Sequence, residues 1–202
     1  MQVPLADFVE LAQTVTKFSE TVKTLICLET RQLPIETDSF SCYPLTVSDK
    51  VKSLAELSAI TAAAKTNGEI VVFTNGCFDL LHRGHVHLLR NARALGDVLI
   101  VAINSDQSIK LIKGPKRPIL SEGDRLQLIA SMEMVNYVLL FDEPDPCNII
   151  SILRPDILVK GGDWPADQVV GADIVEASGG KVVVVPYLKG FSTTEIIAKI
   201  RS

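Results

Sequence analysis

Two imidazoles three residues apart, His82 and His85, close the stretch Phe73-Thr74-Asn75-Gly76-Cys77-Phe78-Asp79-Leu80-Leu81-His82-Arg83-Gly84-His85. The β-branched run Glu69-Ile70-Val71-Val72 before it reads as a buried strand, and Val86 to Leu95 after it reads as a helix. The pattern is therefore strand, tight turn, helix. Gly76 lets the chain turn close to a ligand, and Gly84 leaves room beside the first helical turn, whose unpaired N–H groups attract phosphate. Two imidazoles beside an anion site can hydrogen-bond phosphate oxygens as charge builds on a transferring group, which is electrostatic stabilisation without a covalent intermediate.

Four further segments carry chemistry. Lys113-Gly114-Pro115-Lys116-Arg117-Pro118 reads as a loop with three cations that can fold over a polyphosphate, with Lys113 as the movable point charge. Taken alone, the same residues describe a solvated basic turn. Arg125, in the first turn of a helix opened by Ser121-Glu122-Gly123-Asp124, either reaches back to those phosphates or is an exposed helix arginine. Lys160-Gly161-Gly162-Asp163-Trp164 offers close backbone approach at Gly161 for a base or ribose. Asp163 is open between nucleotide, magnesium and its own loop. Ser192-Thr193-Thr194-Glu195 is a capping box, and a hydroxyl-rich helix N-terminus is also a phosphate site. Asp79 is placed to orient the first motif or to bond the helix entry.

The elements that must position these residues alternate strand and helix. Strands are expected near 69–75, 98–104, 136–141, 156–160 and 181–186, with helices near 84–95, 121–133, 146–153, 167–178 and 193–201. Near-continuous apolar strands such as Val98 to Ile103 and Val182 to Val185 suit a parallel sheet covered on both faces. The expected fold is α/β: a doubly wound, Rossmann-like, five-stranded parallel sheet. Its candidate motifs fall at strand C-termini, where such sheets bind ligands. Ser53-Leu54-Ala55-Glu56 is a capping box opening a helix that introduces the first strand. Upstream, Phe8, Leu11, Val15, Phe18, Val22 and Leu25 lay one apolar stripe along a helix within residues 4–30. The domain division is thus 1–52, a helical extension and linker, and 53–202, the catalytic domain. The stripe needs a partner, either the main domain or a second subunit, so a homo-oligomer through this helix is one expectation.

The 202 residues hold one ordinary domain plus an extension, and 47% hydrophobic with 22% charged residues is a globular composition. A net charge of −4 offers no basic footprint for nucleic acid. Neither a transmembrane run nor a signal-peptide layout is present, so a cytoplasmic protein without membrane partners is expected. Cys27, Cys42, Cys77 and Cys147 contain no Cys-x-x-Cys pair, and no cysteine or carboxylate joins His82, His85 and His87 at a ligand spacing. No protein metal site is expected.

The first motif resembles the signature of the nucleotidyltransferase superfamily marked by histidine, any residue, glycine, histidine. From about Ser53 to Ser202, TNGCFDLLHRGH, AINSD, KGPKRP, RPDILVKGGDW and GFSTTEII together resemble the adenylyltransferases that make ADP-heptose from D-glycero-β-D-manno-heptose 1-phosphate for the lipopolysaccharide core. The resemblance implies transfer of AMP from ATP to the sugar 1-phosphate, with magnesium on the ATP phosphates and pyrophosphate leaving. It implies catalytic roles for His82, His85 and Lys113. Nucleotide or phosphate contacts are implied at Thr74, Asn75, Gly76, Phe78, Arg125, Gly161, Asp163, Ser192, Thr193 and Thr194. In many bacteria this activity is fused behind a sugar kinase; with about fifty residues before the domain, a stand-alone transferase is expected.

Two other readings stay open. Cytidylyltransferases acting on glycerol 3-phosphate or a related alcohol share the histidines and the late hydroxyl motif, and a non-catalytic nucleotide sensor would keep the fold without turnover. A nicotinamide dehydrogenase is disfavoured because the first turn, Asn75-Gly76-Cys77-Phe78-Asp79, lacks the dinucleotide glycine spacing. A tRNA synthetase is disfavoured because there is neither room for an anticodon domain nor a basic face.

Overall fold

A computed structural model describes residues 47–162, 165–188 and 190–202. They belong to one compact unit, Val47–Ser202. The apolar stripe of residues 4–30, and with it the expected subunit contact, lies outside the described residues.

The unit opens with α1 (Val47–Lys50) and α2 (Leu54–Thr66), followed by β1 (Val71–Gly76), α3 (Arg83–Arg93), β2 (Val98–Asn104), α4 (Asp106–Lys113) and α5 (Glu122–Ala130). Then come β3 (Tyr137–Phe141), α6 (Cys147–Leu153), β4 (Ile157–Gly161), a 3-10 turn (Ala166–Gln168), α7 (Ala172–Ala177), β5 (Lys181–Val185) and α8 (Thr193–Arg201). All strands are parallel in the order β3-β2-β1-β4-β5. The expected five-stranded doubly wound sheet is therefore the observed one. The chain winds outward from β1 to β3, then crosses back to β4 beside β1, so the strand order reverses between β1 and β4.

Alternation along the strands divides the core into two layers. On one face Phe73, Ile100 and Leu158 pack with Leu57 of α2, Ile149 of α6 and Val175 of α7. On the other, Val72, Val101 and Val159 pack with Leu89 and Ala92 of α3 and Ile129 of α5. Every residue of β2 is buried, as a strand covered on both sides requires.

Three local features differ from the expectation. Residues 47–52, read as the end of the linker, join the compact unit: Val51 bridges Val138, Lys52 N donates to Val138 O at 2.9 Å, and Lys50 Nζ donates to Met132 O at 3.0 Å. The helix expected over 167–178 is broken at Gly171, whose φ of 88° lies in the left-handed region that favours glycine. Helix α4 forms where no helix is expected from the sequence. Ser105 caps it, accepting from Ser108 N at 3.2 Å, and it places Lys113 in its last turn and not in the loop that follows.

Candidate active site

Strand β1 delivers the chain to the turn 77–81, and His82 is the N-cap of α3. Its Nδ1 accepts from Gly84 N at 3.1 Å, so the proton of the neutral ring sits on Nε2, which is left as a donor. The N–H of His85 is likewise spent, on His82 O at 2.9 Å. Two N–H groups of the first helical turn, expected to be unpaired, are thus taken within the chain. Gly84 is required by the cap, because a Cβ at that position would lie 2.9 Å from the His82 ring.

The His82 and His85 rings stack with centroids 3.9 Å apart and 22° between planes, and Phe78 leans on His85 from 5.3 Å. Phe78 is itself buried, so its ring shapes the histidine and is not a stacking surface for a base. Its φ of 45° is left-handed, an unusual state for a bulky residue and a cost on the order of 1 kcal/mol held by the packing around it. Gly76 ends β1 under the same ring; a Cβ there would press on Phe78 at 3.1 Å. Burial, the neighbouring His82 and the Lys113 charge push the His85 pKa down to about 4, against a weaker opposing pull from Asp79. Desolvation lowers His82 as well. Both imidazoles are therefore neutral near pH 7. His85 Nδ1 is buried without a partner, as is the Thr74 hydroxyl at the end of β1.

The basic segment is tied down by Asp79. Its carboxylate accepts from Arg117 Nε at 2.7 Å and pairs with Nη2 at 2.6 Å, and it takes the N–H groups of Ile119 and Leu120 at 2.9 and 3.0 Å. Asp79 thus orients the loop and not the helix entry. Arg117 is committed to it, while neither Lys113 nor Lys116 forms an ion pair with a described residue.

Arg125 takes neither of its two expected places. It is fully buried, and it donates to Leu120 O, to Cys77 O and Asn104 O at 2.7 Å each, and to Asp106 Oδ1 at 2.7 Å. Four of about five guanidinium N–H groups are used on the protein itself. It neither reaches phosphate nor lies on the surface; it clamps the first turn to the end of β2 and to the basic segment.

The C-terminal motif lies beside the first. Ser192 caps α8, accepting from Glu195 N at 3.1 Å, and Thr193 Oγ1 donates to Leu80 O at 3.4 Å. Thr194 is exposed and lines a groove with Lys116, Arg117, Ile119 and Ile197. Arg83 lies over the Phe191 ring at 5.8 Å, so this segment covers the entrance to α3. Gly161 ends β4, where a Cβ would meet Leu88 and Tyr187 at ordinary contact distance, and Asp163 falls outside the described residues.

One residue of the site went unassigned in the sequence. Lys160 Nζ donates to Asn75 Oδ1 at 3.0 Å, and burial lowers its pKa. A lysine directly after the apolar run Ile157-Leu158-Val159, at a strand's carboxyl end, was the available signal. Among the described residues no group of three His, Cys, Asp or Glu side chains is arranged to hold a metal ion, and no helix is long and apolar enough to cross a membrane.

A doubly wound sheet whose first turn carries paired neutral imidazoles, flanked by lysines and a hydroxyl-capped helix, is built to handle phosphate esters at the strand-order switch. Residues 73–199 match the Cytidylyltransferase-like family, and the chain belongs to it, a family of nucleotidyltransferase enzymes. The chain is 52% identical over 151 residues to the bifunctional protein HldE of Trichlorobacter lovleyi, covering 75% of this chain and 31% of that protein. The bifunctional protein HldE of Geobacter sulfurreducens gives the same identity and coverage. The chain thus spans about a third of the length of these curated relatives. A crystal structure of the lipopolysaccharide core biosynthesis protein from Thermoplasma volcanium matches with a TM-score of 0.51 and 33% identity, over 61% of this chain and all of that one.

Proposed function

We propose that this chain is a cytoplasmic adenylyltransferase that transfers AMP from ATP to D-glycero-β-D-manno-heptose 1-phosphate, giving ADP-heptose and pyrophosphate. A phosphate oxygen of the sugar attacks the α-phosphorus in line; the new O–P bond forms as the bond to the bridging α,β-oxygen breaks, and that electron pair leaves with pyrophosphate. The observation that carries the reading is the stacked pair His82 and His85 at the mouth of β1, fixed by the cap to Gly84.

With Nδ1 occupied, His82 offers its Nε2 proton to a phosphate oxygen. His85, neutral when free, gains basicity as a phosphate dianion approaches and strengthens its own hydrogen bond as charge develops. Lys113 supplies the mobile positive charge between the two substrates. The hydroxyls of Thr193 and Thr194 and the capped N-terminus of α8 grip the outer phosphates, with Ser192 holding the cap. Gly161 borders the ribose and base, Asp163 is assigned to the nucleotide by the family resemblance, and Thr74, Asn75, Gly76 and Phe78 shape the floor. Magnesium enters as part of the MgATP substrate, held by phosphate oxygens and water; Asp79 has its carboxylate committed to Arg117 and two backbone N–H groups.

The test is pyrophosphate release by the purified protein, crossing ATP, CTP and GTP against heptose 1-phosphate, glycerol 3-phosphate and phosphoethanolamine. Release only with ATP and the heptose phosphate is expected. Release with CTP and a polyol phosphate would move the substrate assignment to the cytidylyltransferases, and nucleotide binding without release would favour a sensor.

A further inference from the structure

Three polar side chains end adjacent strands on one face of the sheet. Asn104 follows Ala102 on β2, Asn75 follows Phe73 on β1, and Lys160 follows Leu158 on β4; Ala102, Phe73 and Leu158 all belong to the layer under α2, α6 and α7. The β1–β4 register, Thr74 opposite Val159, sets Asn75 beside Lys160 at the point where strand order reverses. The imidazoles stand at the start of α3, the helix packed over Val72 and Val159 on the other face.

Lys160 is half-buried, and its ammonium meets only the neutral Asn75 Oδ1 among the hydrogen bonds of the described residues; no described carboxylate pairs with it. Lys113 lies near enough to weigh on it electrostatically. A partly desolvated cation held only by an amide is costly when empty and favourable once an anion arrives. An amide acceptor fixes the ammonium's direction without neutralising it.

We propose that Lys160, aimed by Asn75, binds the phosphate of the acceptor sugar, entering from the sheet face opposite the imidazoles. This rests on the nucleotidyl-transfer reading. The imidazoles and the N-terminus of α8 take the triphosphate on their side, and Lys160 and Lys113 bracket the attacking phosphate from the other. Lys160 therefore acts on the acceptor and not on the nucleotide.

Steady-state kinetics with each substrate varied test this on Lys160→Met, which keeps the length and apolar stem. Loss of one charge-assisted hydrogen bond should raise KM for heptose 1-phosphate by about tenfold or more, while KM for ATP stays within about twofold. Lys160→Arg should recover part of the loss, and matching thermal midpoints show that the variants fold. An unchanged sugar KM, or a rise confined to ATP, would overturn the proposal. Calorimetric titration with inorganic phosphate separates it from the parent reading. Were the wild type to release no pyrophosphate, the functional assignment would fail; weaker phosphate binding in Lys160→Met would still support the subsite, and equal binding would remove it.

Discussion

His82 folds back over Gly84: its Nδ1 takes the Gly84 N–H at 3.1 Å, and the ring occupies the space a Cβ at 84 would need. The spacing of the two histidines thus depends on the glycine between them, because one imidazole is the cap that starts the helix carrying the other. Gly84→Ala should leave the fold nearly as stable, since the helix propensity gained, about 1 kcal/mol, offsets the cap lost, also about 1 kcal/mol. Turnover should fall on the order of a hundredfold as His82 is pushed aside. Thermal unfolding and turnover measured on the same preparation check this; parallel losses would mean that the ring is only a cap.

His85 makes stability depend on pH. Above about pH 6.5 the ring is neutral in both the folded and unfolded chain. From there down to about pH 4 the unfolded chain binds a proton that the folded site refuses, so stability falls as pH falls and levels off below. The full loss is roughly 3 kcal/mol, and the lowered His82 adds to it with the same sign. Urea unfolding across that window should show a shallower decline for His85→Phe than for the wild type. Identical slopes would place the titration elsewhere.

Arg125 joins Cys77 O, Asn104 O, Leu120 O and Asp106 from one buried guanidinium. Arg125→Met should destabilise by about 3–5 kcal/mol, because it leaves these acceptors without their donor. Arg125→Lys should recover little, since an ammonium cannot fork to carbonyls on several elements. Denaturant midpoints decide; a mild effect of either change would contradict the clamp.

Asp79→Ala should release the basic segment, as Arg117, Ile119 N and Leu120 N lose their common partner. Limited trypsin digestion should cut after Lys116 faster than in the wild type; the Arg117–Pro118 bond itself resists trypsin. Unchanged cleavage would mean that other contacts hold the segment.

The sheet was legible because its strands are continuous apolar runs long enough to be read one by one, and the first motif was legible because its residues are local in sequence. Helix α4 escaped because eight residues bury only Ser108 and Ile109, too few to show a period. Burial of Arg125 could not be read from its own helix, since its partners lie up to 48 positions away. The Lys160 contact with Asn75 spans 85 positions and exists only because β4 returns beside β1. Periodicity finds elements, whereas these side chains are placed by the crossover.

The most direct measurement compares pyrophosphate release and ADP-heptose formation from MgATP and D-glycero-β-D-manno-heptose 1-phosphate in the wild type and His85→Ala. The wild type should give equal amounts of both products. In the variant, turnover should drop by about 10² to 10³ with ATP affinity changed only a few fold, since the histidine acts mainly in the transition state. Absence of both products from the wild type, or an unchanged turnover number in His85→Ala, would contradict the proposed function.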